Sequence, residues 1–488
     1  MKQIFVFLLL ISLVIMFSIS FNVLPMRVVY AGDSKLVLYE GPKTIKPAED
    51  TKIKVGGYEV FVYDQIVNHF HRWVSSGTPP LSRTPMTYFD FEGKVKIEIT
   101  INHIDKIESC VVLPSSYGIK PKIDGQTVSF IIDKPGFYTV VFNDSVKRAV
   151  HIFANPIEKD IPDKNDKNVI FIGPGEWNID DIGVESGQTI YISGGAVVHT
   201  TIRGAGVENV TIRGRGIIDG TLWGSWILPG EIARVPIDFR YSKNVKIEGI
   251  IISNPNAWAL NLFECENVNV DNVKIITARP NGDGMTFQSC RNIYAKNSFV
   301  RSWDDSLVVK NYEGNSDNIT FDNIQIWTDL AQSCEIGYKT NKGMRENATI
   351  SNITFKNITV LYNFHKPVLS IHNGDNALVK NIKYQNIVVE NAQMGEGDAG
   401  DNNQLIDIAI LSSQWSSTRE RGNIRDVYIE NVKVLNGKFP PSRIWGYDEE
   451  HTVENVKIKD LYILGKKITN FDEGKFKINK FVKNVTIE

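Results

Sequence analysis

Cys265-Glu266-Asn267-Val268-Asn269-Val270 is answered 25 residues later by Cys290-Arg291-Asn292-Ile293-Tyr294-Ala295. In each phrase an Asn is followed by an apolar residue and a short alternating strand. The marker Asn recurs at Asn209, Asn244, Asn267, Asn292, Asn318, Asn352, Asn381, Asn423, Asn455 and Asn484. The tightest intervals, 23, 25 and 26 residues between Asn244 and Asn318, suit one coil of a solenoid. A short repeat cannot bury its own apolar face and must stack on its neighbours. Asn suits the corner because it tolerates left-handed backbone and its amide can bond the next rung. No amphipathic helix of useful length interrupts the pattern. The fold class read from this half is all-β, a right-handed parallel β-helix over residues 168–488. A propeller would need longer repeats.

Residues 32–153 read differently. Val95-Lys96-Ile97-Glu98-Ile99-Thr100-Ile101 alternates with period two, which puts one face in a core and one in water. Asp124-Gly125-Gln126 and Lys134-Pro135-Gly136 are turns between strands expected at 128–132 and 137–142. A small β-sandwich is expected, joined by a polar linker over 154–167 and capping the N-terminal rung of the solenoid. Before it, Lys2, an apolar run from Ile4 to Ile19 and the small-x-small triplet Val29-Tyr30-Ala31 suit a signal segment over 1–31, cleaved before Gly32. The alternative is an uncleaved membrane anchor, since the run is long enough to span. Either reading places the chain in a secreted or extracellular setting.

The 488 residues carry a net charge of −2 and no basic block, so nothing points to nucleic acid. Four cysteines are too few for a disulfide scaffold, and none has zinc-site spacing. Cys265 and Cys290 occupy equivalent places in successive coils and are expected to stack in the core. No metal or cofactor is called for, and a monomer is expected.

The chemistry-bearing residues are acidic. Asn281-Gly282-Asp283-Gly284 is followed one coil later by Trp303-Asp304-Asp305-Ser306. Rungs of a β-solenoid lie about 4.8 Å apart, so Asp283, Asp304 and Asp305 are expected to meet at the floor of an open trough. Adjacent aspartates on a straight strand face opposite ways, so the chain must bend at 304–305. Crowded carboxylates cannot all ionise, and at least one pKa should rise. One protonated and one ionised carboxyl are what glycoside cleavage without a covalent intermediate requires. Turn aspartates and a Ca²⁺ site are the competing readings. Around them, Lys310 and Lys339 are candidate contacts to a substrate carboxylate or hydroxyl. Arg279 and Arg301 are candidate ion-pair partners of the trio. Among Trp223, Trp226, Trp258 and Trp303, the last is the expected sugar-stacking surface. His372 and Asn281 complete the candidate substrate contacts.

Four phrases together resemble glycoside hydrolase family 28, the polygalacturonases and their relatives: Gly216-Ile217-Ile218-Asp219-Gly220; Asn256-Ala257-Trp258-Ala259-Leu260-Asn261; Asn281-Gly282-Asp283-Gly284 with Ser289-Cys290-Arg291-Asn292; and Asp304-Asp305-Ser306-Leu307-Val308-Val309-Lys310. The layout, a sandwich before the helix, is also similar to the family 49 dextranases. The resemblance implies an exported, inverting hydrolase of a polysaccharide or oligosaccharide, with a pectin-type substrate first. It implies Asp304 as general acid and Asp283 with Asp305 as the pair that activates water. The chain departs from the family where a Gly-His-Gly turn is expected: Ser333-Cys334-Glu335-Ile336-Gly337-Tyr338-Lys339 stands there. An Arg-x-Lys pattern is missing too; Ser370-Ile371-His372-Asn373-Gly374-Asp375 lies near its place. These departures leave a neutral α-glucan open as substrate. A Ca²⁺-dependent polysaccharide lyase and a non-catalytic glycan-binding solenoid remain the readings from other classes.

Overall fold

The computed structural model describes residues 26–68, 81–394 and 403–488. Its strands form three sheets, with one 3₁₀ turn at Ser115–Tyr117 as the helical element among the described residues. Between Arg27 and Pro156 the strands make two sheets packed face to face. One runs Arg27–Ala31, Ser34–Leu38, Ser82–Glu92, Ser145–Pro156, Gly136–Phe142, Cys110–Leu113, with Tyr63–Val67 also on Ser82–Glu92. The other runs Tyr58–Glu59, Thr51–Val55, Val95–Ile101, Thr127–Ile132, Lys122–Asp124. Alternation decides which side chains go inward: Val95, Ile97, Ile99 and Ile101 are buried while Lys96 is exposed. Ser145–Pro156 continues as strand into the stretch read as linker. The apolar N-terminal run from Ile4 to Ile19 lies outside the described residues. Arg27–Ala31 is an exposed edge strand paired antiparallel with Ser34–Leu38. The expected cleavage point therefore falls at the tip of a hairpin, and a cut there would detach this strand.

From Val169 to Ile487 the strands of a 27-stranded sheet pair parallel, each rung on the next, as a right-handed parallel β-helix; the short strand Lys466–Lys467 alone folds back antiparallel on Val453–Ile463 among the described residues. Aliphatic and aromatic side chains stack in register through its interior. Phe287, Phe321, Phe355 and Tyr384 form one continuous pile with ring centroids 5.0–5.1 Å apart and planes within 8°. Cys265 and Cys290 are buried in the same core as free thiols.

The corners explain the repeat. Nine of the ten marker asparagines, Asn423 excepted, adopt φ between 53° and 59°. This is left-handed backbone, which Asn tolerates because its short amide bonds locally. Those amides run up the outside: Asn244 donates to Asn209 (3.2 Å), Asn267 to Asn244 (3.3 Å), Asn292 to Asn267 (3.1 Å) and Asn318 to Asn292 (2.8 Å). Asn423 is not a corner; Asp426 takes that place at φ 59° and accepts from Asn455. A second ladder, absent from the sequence reading, turns the following corner through Asn297, Asn323, Asn357, Asn386 and Asn431.

The sandwich does not cap the end rung. It lies along the flank, because that face of the solenoid is apolar outside as well as inside. Val197, Ile217, Ile251, Ile276, Phe299, Trp327 and Leu361 pack against Val37, Tyr63, Met86, Phe137 and Phe153 in one buried cluster. Polar seams hold the contact. Arg215 reaches Asp90 at 3.0 Å, Gln325 donates to the Phe137 carbonyl at 3.1 Å, and the Glu390 carboxylate accepts from the Ser115 backbone N–H at 2.7 Å.

Candidate active site

Asp283, Asp304 and Asp305 occupy one row of corners. Met285–Gln288 pairs with Leu307–Lys310, and the Gly284 N–H donates to the Asp305 carbonyl at 2.8 Å. Asp283 and Asp305 thus face each other on successive rungs, about 4.8 Å apart at the backbone. The chain leaves strand geometry at Trp303–Ser306, which lets both neighbouring aspartates turn to the same side. Gly284 sits where a Cβ would meet the Ser306 carbonyl at 2.4 Å, so this rung spacing requires glycine. The floor is not uniformly open. Asp304 and Asp305 are half-buried, whereas Asp283 is only 2% exposed and lies recessed beside them.

Burial and crowding set the protonation. Asp283 is pushed up to about 7, first by burial; Lys310 opposes that rise and Asp304 adds to it. Asp305 lies well above the ordinary carboxylate range, through burial and then the charges of Asp304 and Asp283. Asp283 and Asp305 therefore share protons at neutral pH, as like charges in one site must. Lys310 Nζ stands 3.2 Å from Asp283 Oδ2 and 5.9 Å over the Trp258 ring. Its cation is favoured despite burial by Asp283 and Asp305. Asp305 Oδ1 accepts from the Gln332 backbone N–H at 3.3 Å.

Lys339 comes from the next rung. It is half-buried and, among the described residues, has no ion-pair partner. Its Nζ lies 5.7 Å over the Tyr312 ring and 5.6 Å over the Trp415 ring. Burial and the nearby Lys310 lower its pKa, against Asp283, Asp305 and Asp304. Asn281 is half-buried at a left-handed turn, φ 57°, two residues before Asp283.

Other expected site residues are elsewhere or differently employed. Trp303 is 1% exposed and packed in the interior, so it offers no face to a sugar. His372 is fully buried and is not a groove contact. Its Nδ1 meets Glu335 Oε1 at 2.9 Å and its Nε2 meets Asp407 Oδ2 at 3.0 Å. Burial disfavours the imidazolium, but the two carboxylates outweigh it and raise the pKa to about 10. Arg443 closes this chain of charges with two 2.8 Å bonds to Asp407. Arg301 serves Asp329, at 3.0 Å, and the sandwich residue His151, at 3.1 Å, not the trio. Arg279 donates to the Trp223 carbonyl. Sequence reading missed Glu335, Asp407 and Arg443, and also Tyr312 and Trp415 around Lys339. The one available signal was an acid inside each apolar strand, at Glu335 and Asp407.

The model of glycosyl hydrolases family 28 matches residues 162–397, the part of the solenoid that holds the trio. Over 218 residues the chain is 24% identical to "Exopolygalacturonase clone GBGE184" of Arabidopsis thaliana, covering 42% of this chain and 47% of that protein. Over 165 residues it is 24% identical to "Polygalacturonase QRT2" of the same plant, covering 33% and 35%. The chain thus spans half or less of the length of these curated relatives. Among solved structures, Dex49A from Penicillium minioluteum superposes with a TM-score of 0.67 at 14% identity, over 95% of this chain and 100% of that one. That likeness fixes the fold, sandwich included. The chain is a right-handed parallel β-helix protein. Its similarity to glycosyl hydrolases family 28 extends over residues 162–397, just under half of the chain.

Proposed function

We propose that the protein is an exported hydrolase of an anionic polysaccharide, a pectin-type polygalacturonate first, acting with inversion. Asp304 gives its proton to the scissile glycosidic oxygen as the carbon–oxygen bond breaks. Asp283 and Asp305, sharing a proton between them, orient a water, and the ionised member of the pair takes the water's proton as its oxygen joins the anomeric carbon from the opposite side. One water is consumed and one new chain end of each kind appears. The single observation that carries the reading is the corner row itself: three carboxylates within electrostatic reach of one another, with a half-buried cation, Lys339, left unpaired beside them. An unpaired buried charge is costly unless a ligand meets it. A substrate carboxylate over Lys339, between Tyr312 and Trp415, supplies that partner where the Arg-x-Lys pattern is missing. The polygalacturonase names of the relatives support the same substrate class. The apolar N-terminal run supports export. Ca²⁺ held by the trio is disfavoured because Lys310 already occupies Asp283 Oδ2.

The neutral α-glucan reading retains the fold likeness to Dex49A and lacks a role for Lys339. Digestion of polygalacturonate, rhamnogalacturonan, dextran and pullulan separates the two, with the anomer of the first product read by NMR. The expected result is cleavage of polygalacturonate with inversion. In Asp304→Asn turnover falls by about 10²–10⁴ with the fold intact. Near-normal turnover in that variant, or unsaturated products absorbing in the ultraviolet, refutes the proposal.

A further inference from the structure

Two rungs before Asp283 the corner row carries a long insertion. Ile217–Asp219 stacks on Ile251–Ser253, and that on Lys274–Ile276, whose corner leads to Asp283. The chain leaves this row at Gly220 and returns at Ile237. It does not project freely. Asn256, fully buried one rung before Asp283, donates to the Gly224 and Ile232 carbonyls at 2.8 and 2.9 Å. The Asn256 side-chain carbonyl accepts from the Arg234 N–H at 2.8 Å. Arg279, in the aspartate rung itself, donates to the Trp223 carbonyl. At the other end Arg234 pairs with Asp180 of the outermost coil at 2.6 Å and lies 5.5 Å over the Trp223 ring. The insertion is therefore tied down at both ends of the stretch between the first coil and Asp283.

The opposite side differs. Beyond Lys339, Trp415 is 49% exposed, and Trp445 is 42% exposed on the strand Ser442–Trp445. Aromatic faces left in water along a sugar-binding trough are surfaces for further pyranose rings.

We infer that residues 220–236 close the trough on the N-terminal side of the aspartates, so that the enzyme engages the end of a glycan chain and not its middle. This rests on the aspartate trio being catalytic. The insertion springs from two rungs before Asp283 and is anchored at Asn256 one rung before it, about 5–10 Å of trough, room for one or two terminal sugar residues. The remainder of the chain runs over Lys339 towards Trp415 and Trp445.

The test is the product profile of the full chain on polygalacturonate, sized from the earliest time points alongside viscosity. A single mono- or disaccharide product from the start, with viscosity falling late, is expected. Replacing 222–233 by three glycines, or the milder Asn256→Ala, should at least double the share of larger oligosaccharides. Mixed sizes at once from the unaltered enzyme overturn the inference while leaving the hydrolase reading intact. An unchanged profile in both variants also overturns it, since the loop is then not the barrier. No cleavage of any tested glycan, with Asp304→Asn indistinguishable from the unaltered protein, overturns both.

Discussion

Asp305→Asn should make the protein more stable at pH 8 and leave it unchanged at pH 4. Asp283 and Asp305 face each other across one rung, about 4.8 Å, and at an effective dielectric of 20 two unit charges there repel by about 3.5 kcal/mol. The pair avoids much of this by holding protons, which is why burial and crowding carry Asp283 up to about 7 and Asp305 well above the ordinary carboxylate range. A carboxyl whose folded pKa is raised binds more protons folded than unfolded. Its folded state therefore loses stability as pH rises from about 4 through the raised value. Asparagine removes one member of the pair, keeps its shape, and still accepts from the Gln332 N–H. The gain should open above about pH 4 and reach about 2–3 kcal/mol by pH 8, with turnover on polygalacturonate falling at least about 100-fold. Urea midpoints at pH 4, 6 and 8, measured in parallel with activity, report both. A variant no more stable than the parent at pH 8, or stabilised equally at pH 4, would refute the crowding argument.

His372→Leu strips Glu335 and Asp407 of their shared cation and should cost about 3–5 kcal/mol at pH 6. Because the folded imidazole titrates at about 10, above its unfolded value, its contribution is complete below about pH 6.5. It is lost as pH rises through 10, so urea midpoints of parent and variant should converge there. Lys339→Met should raise KM on polygalacturonate by about tenfold, equivalent to about 1.4 kcal/mol, with kcat changed far less. An equal loss in both constants would mean the cation acts in the transition state instead. Asn292→Ala at an exposed corner should cost about 1–2 kcal/mol in left-handed strain, plus its amide bonds to Asn267 and from Asn318. Asn292→Gly should recover the backbone part, which thermal melts of the two variants compare directly.

The coil period and the aspartate row could be read from the chain because both depend on local chemistry. Asn267 and Asn292 need left-handed corners whatever surrounds them, and residues one coil apart on such corners must stack. What could not be read depends on what covers each outward face. His372 and Lys310 lie in one outward column of the same sheet, yet His372 is covered by Tyr338, stacked at 4.4 Å, and enclosed by two acids. Trp303 precedes the bend, and only the path of the bend decides that its ring turns inward. The flank position of the sandwich had a signal that went unread. Val197-Val198, Ile217-Ile218 and Ile251-Ile252 are apolar on both faces, as strands covered on both sides must be.

Because the sandwich runs lengthwise, it acts as a splint for only part of the solenoid. Its contacts reach from Gly195, whose N–H donates to the Tyr88 hydroxyl, to Glu390, a stretch that includes every rung of the aspartate row. The coils from Ile406 to Ile487 rely on rung-to-rung stacking, and stability in such arrays is a sum of nearest-neighbour terms. Heating should therefore unravel the chain from its C-terminal end while the aspartate row stays folded; under the proposed function, cleavage of long substrates should then fail before cleavage of short ones.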